Sequence, residues 1–178
     1  MRRRASGASM FEFAIVVLVA GIVALVFLDR VAFYLEQAEK AAMQRAAADL
    51  GWTLRIRVAE LMLGNNSRAI EALDGANPVE ALEFQLGTYA GSGPGGDEAR
   101  IPPGRWFFNR DSRELVYFPN YDANFSRPQG ARARVSWRIV VVRDVPRPGA
   151  APRASWARLE LVRPYRWLEV SEAAAVLC

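Results

Sequence analysis

Residues 10–28 read MFEFAIVVLVAGIVALVFL, nineteen residues carrying one charge, Glu12. At 1.5 Å per residue a helix of this length spans roughly 28 Å, close to the thickness of a bilayer core. Arg2, Arg3 and Arg4 precede it, and the positive-inside rule holds them in the cytoplasm. The remainder then lies across the membrane, in the periplasm of a Gram-negative cell. No small-residue cleavage site closes the apolar run. It passes instead into LDRVAFYLEQAEKAAMQRAAADL, which keeps a helical composition, so a secretory signal cut at its end is disfavoured.

Working outward, the helical spacing continues through Val31, Leu35, Ala38, Ala42, Ala46, Leu50, Leu54, Val58 and Leu61. These steps of three and four form one stripe and place Glu36, Glu39, Lys40, Arg45 and Asp49 on other faces. The expectation is one helix over 9–63, apolar in its first half and amphipathic in its second. Gly64, Asn65 and Asn66 stop it as C-capping residues do. Residues 64–104 form a linker region, with short helical pieces at 67–73 and 78–86 and an exposed loop in GTYAGSGPGGDEARIPPG.

Residues 105–178 read as a sheet. RWFFN and ELVYFPN make a hairpin through RDSR, Ala131 to Val142 alternates, and Trp156 to Val162 supplies a fourth strand. In the third strand Ala131, Ala133, Val135, Trp137, Ile139 and Val141 share a face, with Arg132, Arg134, Ser136 and Arg138 opposite. An antiparallel sheet with one apolar face needs a cover, and Leu50, Leu54, Val58 and Leu61 provide it. The fold class is therefore α+β, a long helix packed on a four-stranded antiparallel sheet. Trp106, Trp137 and Trp156 are expected in its core.

Composition narrows the function. The chain has 178 residues, 52% hydrophobic, no histidine and one cysteine, Cys178. An intrachain disulfide and a Cys-rich zinc site are excluded, and the commonest general base is missing. A non-enzymatic protein without a cofactor is expected. The segment FPNYDANFSRP offers Tyr121, Asp122 and Asn124, too few oxygens for a calcium site. The net charge of +4 is unevenly spread. Residues 1–7 contribute three arginines, residues 29–98 are acidic, and residues 100–166 hold fourteen arginines against five acids. Arg132, Arg134, Arg138 and Arg158 then make either a solvated sheet face or a patch for an anionic partner such as DNA phosphate.

Glu12 is the sharpest single residue. A carboxylate costs roughly 2.5–3.5 kcal/mol at the centre of a membrane helix and less near its end. An α-amino group created by cutting the chain a few residues upstream would neutralise it. The stretch RRRASG followed by ASMFEFAIVVLVAGIVALVFL resembles the N-terminus of the type IV pilin and type II secretion pseudopilin superfamily. In that family a basic leader ends in glycine, a prepilin peptidase cuts after it, and the fifth mature residue is glutamate. The match places the glycine at Gly7, the new N-terminus at Ala8, the glutamate at Glu12 and a frequent further glycine at Gly21.

The resemblance implies a leader over 1–7, a transmembrane and filament-core helix over 8–28, and its amphipathic continuation over 29–63 beneath a pilin-like head. It also implies N-methylation of Ala8 and a single-pass inner-membrane protein with a cytoplasmic N-terminus and periplasmic head. Partners would be other pilin-like subunits in a helical fibre, the prepilin peptidase, an inner-membrane assembly platform and membrane lipid. Ala8 stands where phenylalanine is usual. Asp29 stands where many pilins have a kinking proline, a lack that leans towards a minor pilin or pseudopilin. Two alternatives stand beside this reading. One is a DNA-binding or adhesive minor pilin using the arginine face, with nucleic acid as partner. The other is an uncleaved single-pass anchor carrying a sensor domain.

Overall fold

The computed structural model describes residues 10–144 and 153–168. Its first element, α1, runs unbroken over Met10–Leu63. Among the described residues it is the one helix long and apolar enough to cross a membrane, and its most apolar window is fully exposed. The helix ends in a Schellman motif, with Asn65 at φ 51° as the left-handed residue. Asn66 N–H donates to the Leu61 carbonyl at 2.9 Å and Asn65 N–H to the Met62 carbonyl at 3.0 Å, so two carbonyls orphaned by the helix end are satisfied. The Asn66 side chain then accepts from Ala69 N and caps α2, Ser67–Glu71. A second short helix, α3, covers Pro78–Ala81 with Asn77 as its cap.

Among the described residues five strands follow in the order β1-β2-β3-β4-β5: Tyr89–Gly93, Arg105–Asn109, Glu114–Phe118, Val135–Asp144 and Arg153–Leu161. The expected four-stranded antiparallel sheet is therefore corrected to a five-stranded mixed one, because β1 pairs parallel with β2. This strand lies in the glycine-rich stretch expected to be loop. Its register slips between Tyr89 and Ser92, where Gly91 adopts φ 105°. Glycine tolerates that geometry, and the absence of apolar alternation hides the strand in the sequence. The β2–β3 hairpin through residues 110–113 is as expected. Strand β4 begins at Val135, four residues later than anticipated, and β5 begins at Arg153, three residues earlier.

The sheet is apolar on both faces in its β2–β3 part, which corrects the expectation of a single apolar face. Towards α1, Trp106, Phe108, Leu115, Tyr117, Val135 and Trp137 pack with Met43 and Leu50. The Trp106 ring packs at a tilt against Tyr117 and Trp137, with centroids 4.9 Å and 5.1 Å away. Leu54 and Val58 continue along the helix over Ile139, Val141, Ala154 and Ala157, with Ile70 and Leu73 of the α2 region closing that end. On the reverse face Phe107, Val116 and Phe118 are buried under Ile101 and the 3-10 helix Gly95–Arg100. The near-continuous apolar reading of RWFF and LVYF is what two-sided burial requires. Of the three tryptophans expected inside, Trp106 and Trp137 are buried, while Trp156 is 38% exposed on an edge strand. Trp167, only 1% exposed, takes a core place instead.

Candidate functional site

The side of α1 that faces the head differs from expectation in its first turns beyond residue 28. Leu35, Ala38 and Ala42 are exposed, whereas Glu36, Met43, Leu50, Leu54 and Val58 are buried. Glu36, Glu39 and Lys40 therefore point into the head. They lie one and two turns from Met43 on a stripe of the same three-and-four spacing.

Glu36 is 2% exposed, yet its carboxylate is well supplied with donors. It accepts from Asn124 N at 2.9 Å, Asn124 Nδ2 at 2.6 Å and the indole Nε1 of Trp167 at 2.8 Å. Glu39 accepts from the Tyr117 hydroxyl, Asn120 N and Tyr121 N, each at 2.7 Å. Lys40 Nζ donates to the Trp167 carbonyl at 2.5 Å, and Gln44 Nε2 to the Tyr165 hydroxyl at 3.3 Å. A buried carboxylate is tolerated only when its lone pairs are filled, and charge-assisted bonds are roughly twice as strong as neutral ones. Burial, then the hydrogen bond to Glu39, push the Tyr117 phenol well above its ordinary range. The four side chains join the helix to the β3–β4 loop and to residues 165–167. The result is a polar clamp just beyond the apolar rod.

The residues singled out for processing and assembly are differently placed. Gly7 and Ala8 lie outside the described residues. Glu12 lies on α1, two residues into its described length. The rod from residue 10 to residue 28 has exposed side chains at every position.

The four arginines on the sheet face do not form one uncommitted patch. Arg132 stacks 4.0 Å above the Phe118 ring and donates to the carbonyls of Glu98 at 2.7 Å and Ile101 at 2.5 Å. Burial pulls its guanidinium below its ordinary range, with the Glu98 charge opposing. Arg134 pairs with Glu98 at 3.0 Å, and Arg138 with Glu114 at 3.3 Å and the Ser112 carbonyl at 2.6 Å. Arg158 pairs with Glu160 on its own strand. Glu98 also accepts from Asn109 Nδ2 at 2.5 Å, so Arg132, Arg134 and Glu98 together fasten the 3-10 helix to the sheet. In the β3–β4 loop Asp122 pairs with Arg127 and Asn124 serves Glu36. No cluster of three or more His, Cys, Asp or Glu suited to a metal is present among the described residues.

The clamp was not legible as a site in the sequence, although its positions were visible. Glu36, Lys40 and Met43 extend the spacing of Leu50, Leu54 and Val58 back towards the membrane rod. Polar side chains on the inward side of an amphipathic helix are the signal that such a junction leaves. The architecture, a long N-terminal apolar helix packed on a sheet, is compatible with a pilin-like fold. Comparison with protein-family models, curated proteins and solved structures gave no match to this chain.

Proposed function

We propose that the chain is a non-enzymatic structural subunit of the pilin or pseudopilin kind, cut after Gly7 and assembled into a helical fibre through its N-terminal helix. The observation that carries the reading is the division of α1. Its first half leaves the head as an apolar rod of membrane length, and its second half is fixed to the head by the clamp and the core. An exposed apolar rod of this size is stable only in lipid or among sister helices.

The outward side of the second half supports the same reading. Tyr34, Ala38, Trp52, Ile56 and Leu63 lie along one exposed stripe opposite the sheet, and Trp52 is 63% exposed. That surface is available to sister helices. Glu12 would accept the charged amine of Ala8, its own or a neighbour's, and so favour the register that neutralises both charges where water is scarce. The head would lie in the periplasm. The internal pairing of Arg132, Arg134 and Arg138 with Glu98 and Glu114 weighs against DNA capture on that face.

The test is assembly in cells that possess a prepilin peptidase. Intact mass of the membrane-extracted protein is expected to correspond to a start at methylated Ala8, and Glu12→Val to insert in the membrane but fail to enter the fibre. A mature chain that keeps Met1 to Gly7, or normal incorporation of Glu12→Val, refutes the proposal.

A further inference from the structure

On the face of the sheet away from α1 lies an open groove with a cavity volume of about 940 Å³. One wall is the 3-10 helix and the other is formed by residues 125–128 and 163–166. Arg127, Arg132, Arg134, Arg163 and Arg166 line it against a single carboxylate, Glu98. The five cations are not equivalent. Arg132, Arg134 and Arg127 are held by Glu98, the Ile101 carbonyl and Asp122. Arg163 and Arg166 have no side-chain partner among the described residues, and both are exposed.

The wall that carries these two is rigidly built. Ser126 N donates to the Arg166 carbonyl at 2.8 Å, Leu168 N to the Asn124 carbonyl at 3.3 Å, and Phe125 bridges to Trp167. The rings of Phe125 and Tyr165 lie parallel with centroids 6.1 Å apart. The backbone that carries the arginine pair is therefore fixed, and only the two exposed side chains have to be ordered by a ligand. Pro128, Ala131 and Pro164 make the neighbouring lining apolar and exposed.

We propose that this groove receives an acidic, partly apolar peptide segment of a partner protein, its carboxylates on Arg163 and Arg166 and its apolar side chains against Phe125, Pro128 and Pro164. The site lies apart from the helix and stands independently of the filament reading. Charge complementarity selects the partner. Guanidinium groups bind carboxylates bidentately. A nucleic acid strand needs a continuous track of uncommitted cations to neutralise successive phosphates. Here two are uncommitted, since Arg127 and Arg134 are paired with Asp122 and Glu98 and Arg132 is held by two carbonyls. Pockets of up to about 1,000 Å³ suit compact ligands, and an open trough of that size suits a short extended segment.

The experiment uses the full chain in detergent micelles and fluorescence polarisation. The probes are short fluorescein-labelled peptides rich in Asp, Glu, Leu and Phe, the same peptides with Asn and Gln replacing the acids, and labelled oligo-dT. The acidic peptides are expected to bind and the neutral ones not. Arg163→Gln combined with Arg166→Gln is expected to weaken binding by about tenfold, as the loss of two exposed charge pairs implies. Ala131→Trp, which keeps both arginines and fills the groove, should abolish it. Equal binding of neutral peptides overturns the proposal, as does unchanged affinity in both variants or displacement of the peptides by oligo-dT. Binding seen only when residues 169–178 are deleted also overturns it, since the chain's own Glu169 and Glu172 would then be the occupant.

Discussion

Replacing Glu36 by alanine tests whether the polar clamp holds the head to the rod. The substitution removes the acceptor of three hydrogen bonds, two from Asn124 and one from the Trp167 indole. Hydrogen bonds to a charged group are worth about 1.5–3 kcal/mol each, but their sum overstates the net effect. Desolvating the carboxylate already costs several kcal/mol, and the backbone around Asn124 is open enough for water to replace the lost acceptor. What water cannot replace is the partner of Trp167 Nε1, on a residue that is 1% exposed. An unsatisfied buried donor costs about 1–3 kcal/mol, and the missing side chain adds lost packing, so the expected destabilisation is about 2–3 kcal/mol. Glu36→Gln keeps one carbonyl oxygen for the indole and should cost about 1 kcal/mol. Hydrogen exchange read by mass spectrometry on the full chain in detergent is the suitable assay. Peptides covering residues 119–126 and 163–168 are expected to lose about 30- to 150-fold in protection in Glu36→Ala, at 1.4 kcal/mol per tenfold, while the β2–β3 hairpin keeps its own. Unchanged protection in both segments refutes the clamp. Equal losses in the Ala and Gln variants refute the part assigned to the indole.

Three further outcomes are expected. Because the Tyr117 phenol is raised, its contribution is complete below the ordinary tyrosine value near 10 and is lost as pH climbs through the folded value. The melting temperature should fall steeply in alkali as phenolate meets the Glu39 carboxylate, and Tyr117→Phe should flatten that fall in a pH series of thermal melts. Arg132→Ala removes the two bonds to the Glu98 and Ile101 carbonyls and uncovers Phe118, so the 3-10 helix should loosen. Tryptic cleavage after Arg100, whose side chain is 84% exposed, should then accelerate about tenfold or more, and an unchanged rate would show that this fastening is idle. Leu54→Ala, at a fully buried position between α1 and the β4–β5 strands, should cost about 2–5 kcal/mol in urea unfolding.

Local chemistry fixes some parts of this protein wherever the chain is placed. The rod of residues 10–28 is apolar on all sides, so its length and environment follow from composition. Gly64, Asn65 and Asn66 end the helix by backbone preference, and the RDSR turn joins two strands by its position between apolar runs. The strand β4 alternation placed Val135, Trp137, Ile139 and Val141 inward, where they are buried. Each of these features is written in a pattern that spans only neighbouring residues.

Other features depended on partners distant in sequence. Whether Leu35 or Glu36 faces the head is undetermined by helical spacing, since both continue a three-and-four stripe. The choice is made by donors on Asn120, Tyr121, Asn124 and Trp167, some 80 to 130 positions away. Strand β1 has no periodic signal and exists because β2 offers a paired edge. Arg134, just before β4, and Arg138 within it alternate as a solvated face would, but they pair with Glu98 and Glu114, which only the folded chain brings within reach. Sequence by itself determined a membrane-length rod, a capped helix and a sheet. Tertiary structure decided which face of the helix meets that sheet and which charges remain available, because burial of a polar group depends on partners that folding alone supplies.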